Sequence, residues 1–395
     1  MKKLSLLLVM VMSITLGFAQ KNVRQTASNY LKDGKLDKAM EAINQCIQDP
    51  STATDAKAWF IRGNIYLEIA NSKDEKFKAL DPDPLKQALD SYKKATEYDP
   101  KKEYAEDIFA KVNWQRNNYF NQAVDNYNKK LYLDAMKAFE NGANALSSIN
   151  VPDTISLFYA AACAGMANEK GKAKEYYIEL LKSGSKSTAI YISLSDIYRQ
   201  EKDSSEALKV VRAGQKLYPN DLKLFLTETN IYLTFGNTQK ALTNLKLAAR
   251  KDTSNATVFF ALGTIYDNIS NDTNKSQKER DESFNLAIKA YKDAMKINPE
   301  YFEPNYNIGA LYVNKAATIF DQANKLPLDA EAEFKKLNTE ADSYLDDATP
   351  YLEKAAEIQP TDINTLMSLK QIYSRTKKTD KLKIVNEKIA AIQKK

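Results

Sequence analysis

No histidine occurs anywhere in the 395 residues. That removes the usual general base near neutral pH, the partner that activates a serine or cysteine nucleophile, and every histidine-containing zinc site. Cys46 and Cys163 are the only cysteines, too few for a thiolate metal site. Three short patterns superficially suggest chemistry. Gly165 to Lys172 resembles a phosphate loop, but five residues separate Gly165 from Gly171, and Ala173 stands where a magnesium-binding hydroxyl is needed. Ser183 and Lys186 have the spacing of a serine acyl-enzyme pair without its companion motifs. Asp267, Asp272 and Asn274 offer oxygens to calcium, yet the central Gly and the terminal Glu of an EF-hand are missing. Carboxylates are abundant but mark no cleft. The expectation is a protein that is not an enzyme, with no catalytic residue, no cofactor and no metal.

The N-terminus reads as an export signal. Lys2 and Lys3 precede an apolar run over 4–16, and Gly17-Phe18-Ala19 supplies small residues before Gln20. That run is too short for a membrane span, which needs ~20 residues. No Cys stands near the cut, and no later stretch is long and apolar enough to cross a bilayer. Residues 1–19 are therefore expected to be cleaved, and the mature chain to be soluble and exported, in a bacterial periplasm. Without Lys2 and Lys3, 55 basic residues face 51 acidic ones, a net +4. Lys, Asp and Glu alternate along the chain, which describes solvated faces rather than a nucleic-acid stripe. Eleven Gly and eleven Pro in 395 residues point to long helices with few turns.

The elements that position these residues repeat. Ala173, Ala207 and Ala241 are spaced 34 and 34 residues apart, and helix-period runs precede each, over 157–166, 191–200 and 225–234. The segment from Ala256 shows the unit in full. Phe259, Leu262, Gly263 and Tyr266 mark its first helix; Ala287, Tyr291, Ala294 and Pro299 mark its second. Other units read Trp59, Gly63, Tyr66, Ala88, Tyr92, Ala95, Pro100 and Tyr191, Ser195, Tyr198, Ala207, Val211, Gly214, Pro219. This pattern resembles the tetratricopeptide repeat (TPR), a 34-residue helix-turn-helix with small residues at positions 8, 20 and 27 and aromatics near 4, 11 and 24. In that register position 11 is Tyr30, Tyr66, Tyr198, Tyr232, Tyr266, Tyr312 and Tyr373. Position 20 is Ala39, Ala88, Ala135, Ala173, Ala207, Ala241, Ala287 and Ala348, then Leu382. The resemblance implies an all-α, right-handed superhelix of about nine repeats, a continuous α-solenoid over 20–395. Cys46 and Cys163 fall in different repeats, and both are expected to be small buried residues rather than a disulfide.

Three repeats carry insertions between their helices: near 71–84, near 269–282, and a long one in the eighth repeat. Ile269 to Arg280 is polar and reads as a mobile loop. The longest insertion keeps helical spacing through Ala316, Ile319, Phe320 and Ala323, turns at Leu326-Pro327-Leu328, and returns through Phe334, Leu337, Ala341 and Tyr344. It predicts a projecting helical hairpin over 316–344, either a partner arm or a lengthened core. Lys377, Lys378, Lys381, Lys383, Lys388, Lys394 and Lys395 supply a polar terminal face, as a solenoid cap or as a contact for an acidic or lipid surface.

What remains is surface. The family resemblance implies that first helices line a concave face, chiefly through positions 2, 5, 9, 12 and 13. Position 5 here is Arg24 and then an apolar ladder of Phe60, Phe120, Phe158, Ile192, Leu226, Phe260, Tyr306 and Met367. Asn64 and Asn230 stand at position 9. Such a ladder with adjacent amides suits a peptide or helix laid along a groove; equally, its rings would be core if position 5 packs on the next repeat. Phe60 and Phe120 occupy places where a lysine would signal the family's grip on a C-terminal carboxylate, so that specificity is not expected. The functional expectation is a scaffold of the bacterial envelope that binds protein partners. The alternative is a periplasmic chaperone or assembly factor holding export-bound or outer-membrane clients.

Overall fold

The computed structural model describes residues 22–393; the expected leader over 1–19 lies outside the described residues. Every regular element described is a helix, as the all-α reading requires. The helices pair into nine antiparallel hairpins among the described residues. The chain divides after Ile190 into two compact units. In the first, α1 (22–32) pairs with α2 (Leu36–Gln48), and α3 (Ala56–Asn71) with α5 (Pro84–Glu97), with the short α4 (Glu75–Lys78) between them. Then α6 (Ala105–Asn128) pairs with α7 (Tyr132–Ser147), and α8 (Thr154–Met166) with α9 (Lys170–Lys182). The second unit begins within α10 (Thr188–Gln200), which is followed by α11 (Ser204–Leu217), α12 (Leu222–Thr234) and α13 (Thr238–Lys251). It continues with α14 (Ala256–Ser270), α15 (Gln277–Ile297), α16 (Phe302–Asn324), α17 (Glu331–Ile358), α18 (Ile363–Arg375) and α19 (Thr379–Gln393).

Local chemistry sets the helix ends. Asp55, Asp153, Asp221, Asn255 and Asp362 each accept a backbone N–H at the start of a first helix, the standard way to satisfy an orphan donor. The uninterrupted hairpins turn through one residue with positive φ: Gly34, Lys130, Asn168, Lys202, Gly236 and Lys377. A left-handed residue of this kind lets the chain reverse in two or three residues. Gly171 lies in the first turn of α9, and Asn168 makes the turn before it. Half of the polar stretch 269–280 is not a loop. Ser276 and Glu279 form a reciprocal capping box that starts α15 at Gln277, so only 271–276 lie between the helices.

Packing explains the small residues. Ala39, Ala88, Ala135, Ala173, Ala207, Ala241, Ala287 and Ala348 are all fully buried, because a larger side chain would push the two helices of a hairpin apart. Seven residues further on, Cys46, Ala95, Ala248, Ala294 and Ala355 are buried too. Cys46 thus takes a place that other repeats give to alanine. Gly63 and Gly263 lie under the rings of Tyr92 and Tyr291, where a Cβ would stand 2.4 and 2.5 Å from ring carbons. Both rings are buried. At the C-terminal end, Lys378 and Lys381 pair with Asp346 and Glu353 of α17, so part of the basic segment is tied to its own solenoid.

Gly263→Ala is expected to cost about 1–3 kcal/mol, since Tyr291 is held on every side and has no room to yield. Gly165→Ala, on an open helical surface with nothing within 4 Å, is the control and should not destabilise. Urea unfolding of both variants checks this; equal stability would place Tyr291 elsewhere than over Gly263.

Candidate interaction face

The ladder residues sit between core and solvent. Phe60 stacks on Tyr104, ring centroids 5.0 Å apart, and tilts against Tyr92 at 6.4 Å. Phe260 repeats this with Tyr301 at 5.3 Å and Tyr291 at 5.7 Å. In both, the position-5 ring bridges its own second helix and the residue that opens the next hairpin. Phe120 lies edge-on to Phe139 (5.1 Å) and Tyr159 (5.9 Å); Phe158 lies edge-on to Tyr159 (5.8 Å) and Tyr177 (6.2 Å). Tyr306 stacks on Phe302 at 5.9 Å. The ladder rings Phe60, Phe120, Phe158, Phe260 and Tyr306, with Ile192 and Leu226, are half-buried. Asn64 accepts a hydrogen bond from the Tyr92 hydroxyl at 2.9 Å, so one face of its amide is already spent on packing. Asn230 is exposed. Phe120 and Phe158 are brought together through Tyr159; the structure gives the other ladder residues no ring contact with one another.

A more open apolar surface lies beside that pair. On α8, Ile155, Tyr159 and Met166 are 58%, 45% and 52% exposed. Their spacing of four and seven places them on one helix face. On the neighbouring α6, Phe109, Val124 and Tyr127 are also exposed and share a stripe with half-buried Phe120. The opposite side of α8 is buried through Ser156, Ala160, Ala161, Cys163 and Ala164. Sequence reasoning named Phe158 here and missed Ile155, Tyr159 and Met166. A signal was present: no charged residue occurs in Thr154–Met166, so this helix is apolar on the face that packing leaves uncovered.

An ion pair links the two helices. The Arg116 side chain of α6 grips Asp153 through Nε and Nη2, at 2.6 and 3.1 Å, and lies 4.6 Å over the Phe120 ring. Asp153 also accepts from the Ser156 backbone N–H at 3.0 Å, capping α8. Burial pushes the Asp153 carboxyl up, but the hydrogen bonds from Arg116 and Ser156 outweigh it and hold the group below its ordinary value.

The chemical patterns resolve into structure. Gly165 ends α8 and Gly171 opens α9, two antiparallel helices with no phosphate cradle between them. Ser183 caps α9, donating to the Leu180 carbonyl at 2.9 Å. Asp267 accepts from Tyr291 and Asn271, and burial raises its carboxyl pKa. Burial likewise pushes the Cys163 thiol up to about 11. Among the described residues no group of His, Cys, Asp and Glu is disposed to hold a metal, and no helix is long and apolar enough to cross a membrane.

Comparison with known proteins agrees on the kind of repeat. The tetratricopeptide-repeat family model matches residues 188–221, which span α10 and α11. No curated protein matches the chain. Among solved structures, MamA is similar at 19% identity over 51% of this chain and 95% of its own, with a TM-score of 0.36. YrrB, described as a TPR protein with an unusual peptide-binding site, is 18% identical over 59% of this chain and 98% of its own, TM-score 0.35. A TPR repeats protein from Bacteroides fragilis NCTC 9343 is 17% identical over 66% and 98%, TM-score 0.29. The direct repeat match and the hairpins themselves define an all-α protein of TPR type, a class that generally binds other proteins and lacks chemistry of its own.

The Asp153 carboxylate stabilises the first unit fully above its unfolded pKa of about 3.9. That contribution is lost as pH falls through the depressed folded value. Asp153→Asn should therefore lower the melting temperature near neutral pH, and the gap to the parent should narrow as the pH falls below about 4. A gap independent of pH would separate the pair from stability.

Proposed function

We propose that this chain is an exported, non-enzymatic scaffold of the bacterial cell envelope that holds partner proteins or peptides on its first-helix faces. The observation that carries the reading is the uncovered apolar stripe of α6 and α8 around Tyr159. Clustered exposed apolar side chains on a folded chain ordinarily mark interaction sites, and side chains already held on helices bind with little ordering cost. The half-buried ladder residues Phe60, Ile192, Leu226, Phe260 and Tyr306, with Asn64 and Asn230, add shallow sites in each unit. Export rests on the basic-apolar-small pattern of residues 1–19. The hairpin of α16 and α17 is a second candidate contact, because Leu328 at its turn is fully exposed.

A chaperone or assembly factor holding export-bound clients is the second reading. The lack of any charge on α8 favours it, since a face without charges discriminates little between apolar partners.

A photo-crosslinking residue at Tyr159 or Met166 is expected to trap partner adducts in envelope extracts. The same residue at Leu217, exposed in the second unit, should trap few. Adducts of one or two fixed masses mark a scaffold, whereas a broad spread marks a client-holding factor. Equal trapping at all three positions would remove the α6–α8 face as the site. N-terminal sequencing of the mature protein should begin at Gln20, and an intact Met1 would overturn export by this signal.

A further inference from the structure

Away from the first-helix face, α3 buries a guanidinium without a carboxylate. Arg62 is only 9% exposed. Its Nε donates to Asn44 Oδ1 at 2.9 Å, Nη1 to Ser91 Oγ at 2.6 Å and to the Gln87 carbonyl at 3.4 Å, and Nη2 to Gln87 Oε1 at 2.9 Å. Every one of these acceptors is neutral. The flat faces of the group are covered by Tyr66 at 4.4 Å and Trp59 at 5.7 Å. Hydrogen bonds and ring faces replace part of the lost hydration, but the charge itself has no counter-ion, and buried charges are ordinarily paired. Arginine has five N–H donors; four are spent here, and the last belongs to Nη2.

Arg62 also lines a pocket of about 380 Å³ whose walls come from α2, α3 and α5. Ile47 and Trp59 give it an apolar wall, and Arg62 with Gln87 a polar one. At the rim Lys94 is tied to Glu97 at 3.0 Å. Lys93 and Asp90 are the other two charges, of opposite sign. The rim therefore balances and the buried Arg62 is the net charge of the site. A volume of this size takes one or two side chains. An oxygen anion entering it meets the positive charge of Arg62, to which charge-assisted hydrogen bonds are strong.

We propose that this pocket recognises the carboxylate side chain of a Glu or Asp in a partner polypeptide, with an apolar neighbour of that residue lying on Ile47 and Trp59. The site is independent of the α6–α8 face and stands or falls without it. A partner docked there would meet α2, α3 and α5 and leave the α6–α8 stripe free.

The two tryptophans of the chain, Trp59 and Trp114, supply the readout. With 5-fluorotryptophan incorporated into the full mature chain, ¹⁹F NMR shows one signal per site. Titration with acetyl-Glu-Leu-amide should shift the Trp59 signal saturably and leave Trp114, on α6, in place. Acetyl-Gln-Leu-amide should leave both unmoved. Arg62→Gln should weaken the response by about tenfold, the loss of one charge-assisted contact. The Glu-against-Gln comparison uses the unaltered protein and decides the matter even where the variant fails to fold. A Trp59 signal that stays still, or that moves equally with both peptides, overturns the proposal.

Discussion

Each hairpin depends on how closely its two helices approach. Where a buried alanine or glycine stands, the backbones come near enough for a large ring from one helix to lie flat on the other. Tyr92 over Gly63 and Tyr291 over Gly263 are the clearest cases. The same rings then support Phe60 and Phe260, which in turn reach Tyr104 and Tyr301 at the start of the following hairpin. One close contact thus propagates outward through an aromatic layer. Adding even a methyl at its base would disturb several rings at once, because protein interiors are packed at crystal density.

This layer consumes most of the large side chains on the first helices, and what it leaves over differs between repeats. In the hairpins of α6 and α8 the remainder is apolar, so a surface appears that packing within the chain does not cover. The Arg116–Asp153 pair spans the two helices at that point. A partly buried, bidentate pair of this kind is costly to break once formed, which suits a surface that must keep a fixed width.

Guanidinium groups are handled in three ways in this molecule. Arg116 meets a carboxylate directly. Arg212 does so within a network, sharing Glu228 with Gln215 and Tyr232. Arg62 has only neutral oxygens and two rings. The first two arrangements are closed on themselves; the third keeps its charge and lies against open volume.

The all-α architecture, the number of hairpins and the burial of the alanine series were legible in the chain, because side-chain volume at a helix–helix contact is a local demand repeated at every turn of the pattern. Ala39 and Ala287 answer it alike, however far apart they lie. The extent of α15 was less legible. A polar run reads as loop until Ser276 and Glu279 are seen to satisfy each other's backbone donors, and that reciprocity requires the fold of the segment. The fate of the position-5 rings was not legible at all. Whether Phe60 faces a ligand or Tyr104 depends on where the next hairpin begins in space, and a residue's own type carries no record of its neighbour's distance. The exposed stripe of α8 stands between these cases: its lack of charge is written in thirteen consecutive residues, but which side of that helix stays uncovered was decided only when α7 and α9 packed against the other.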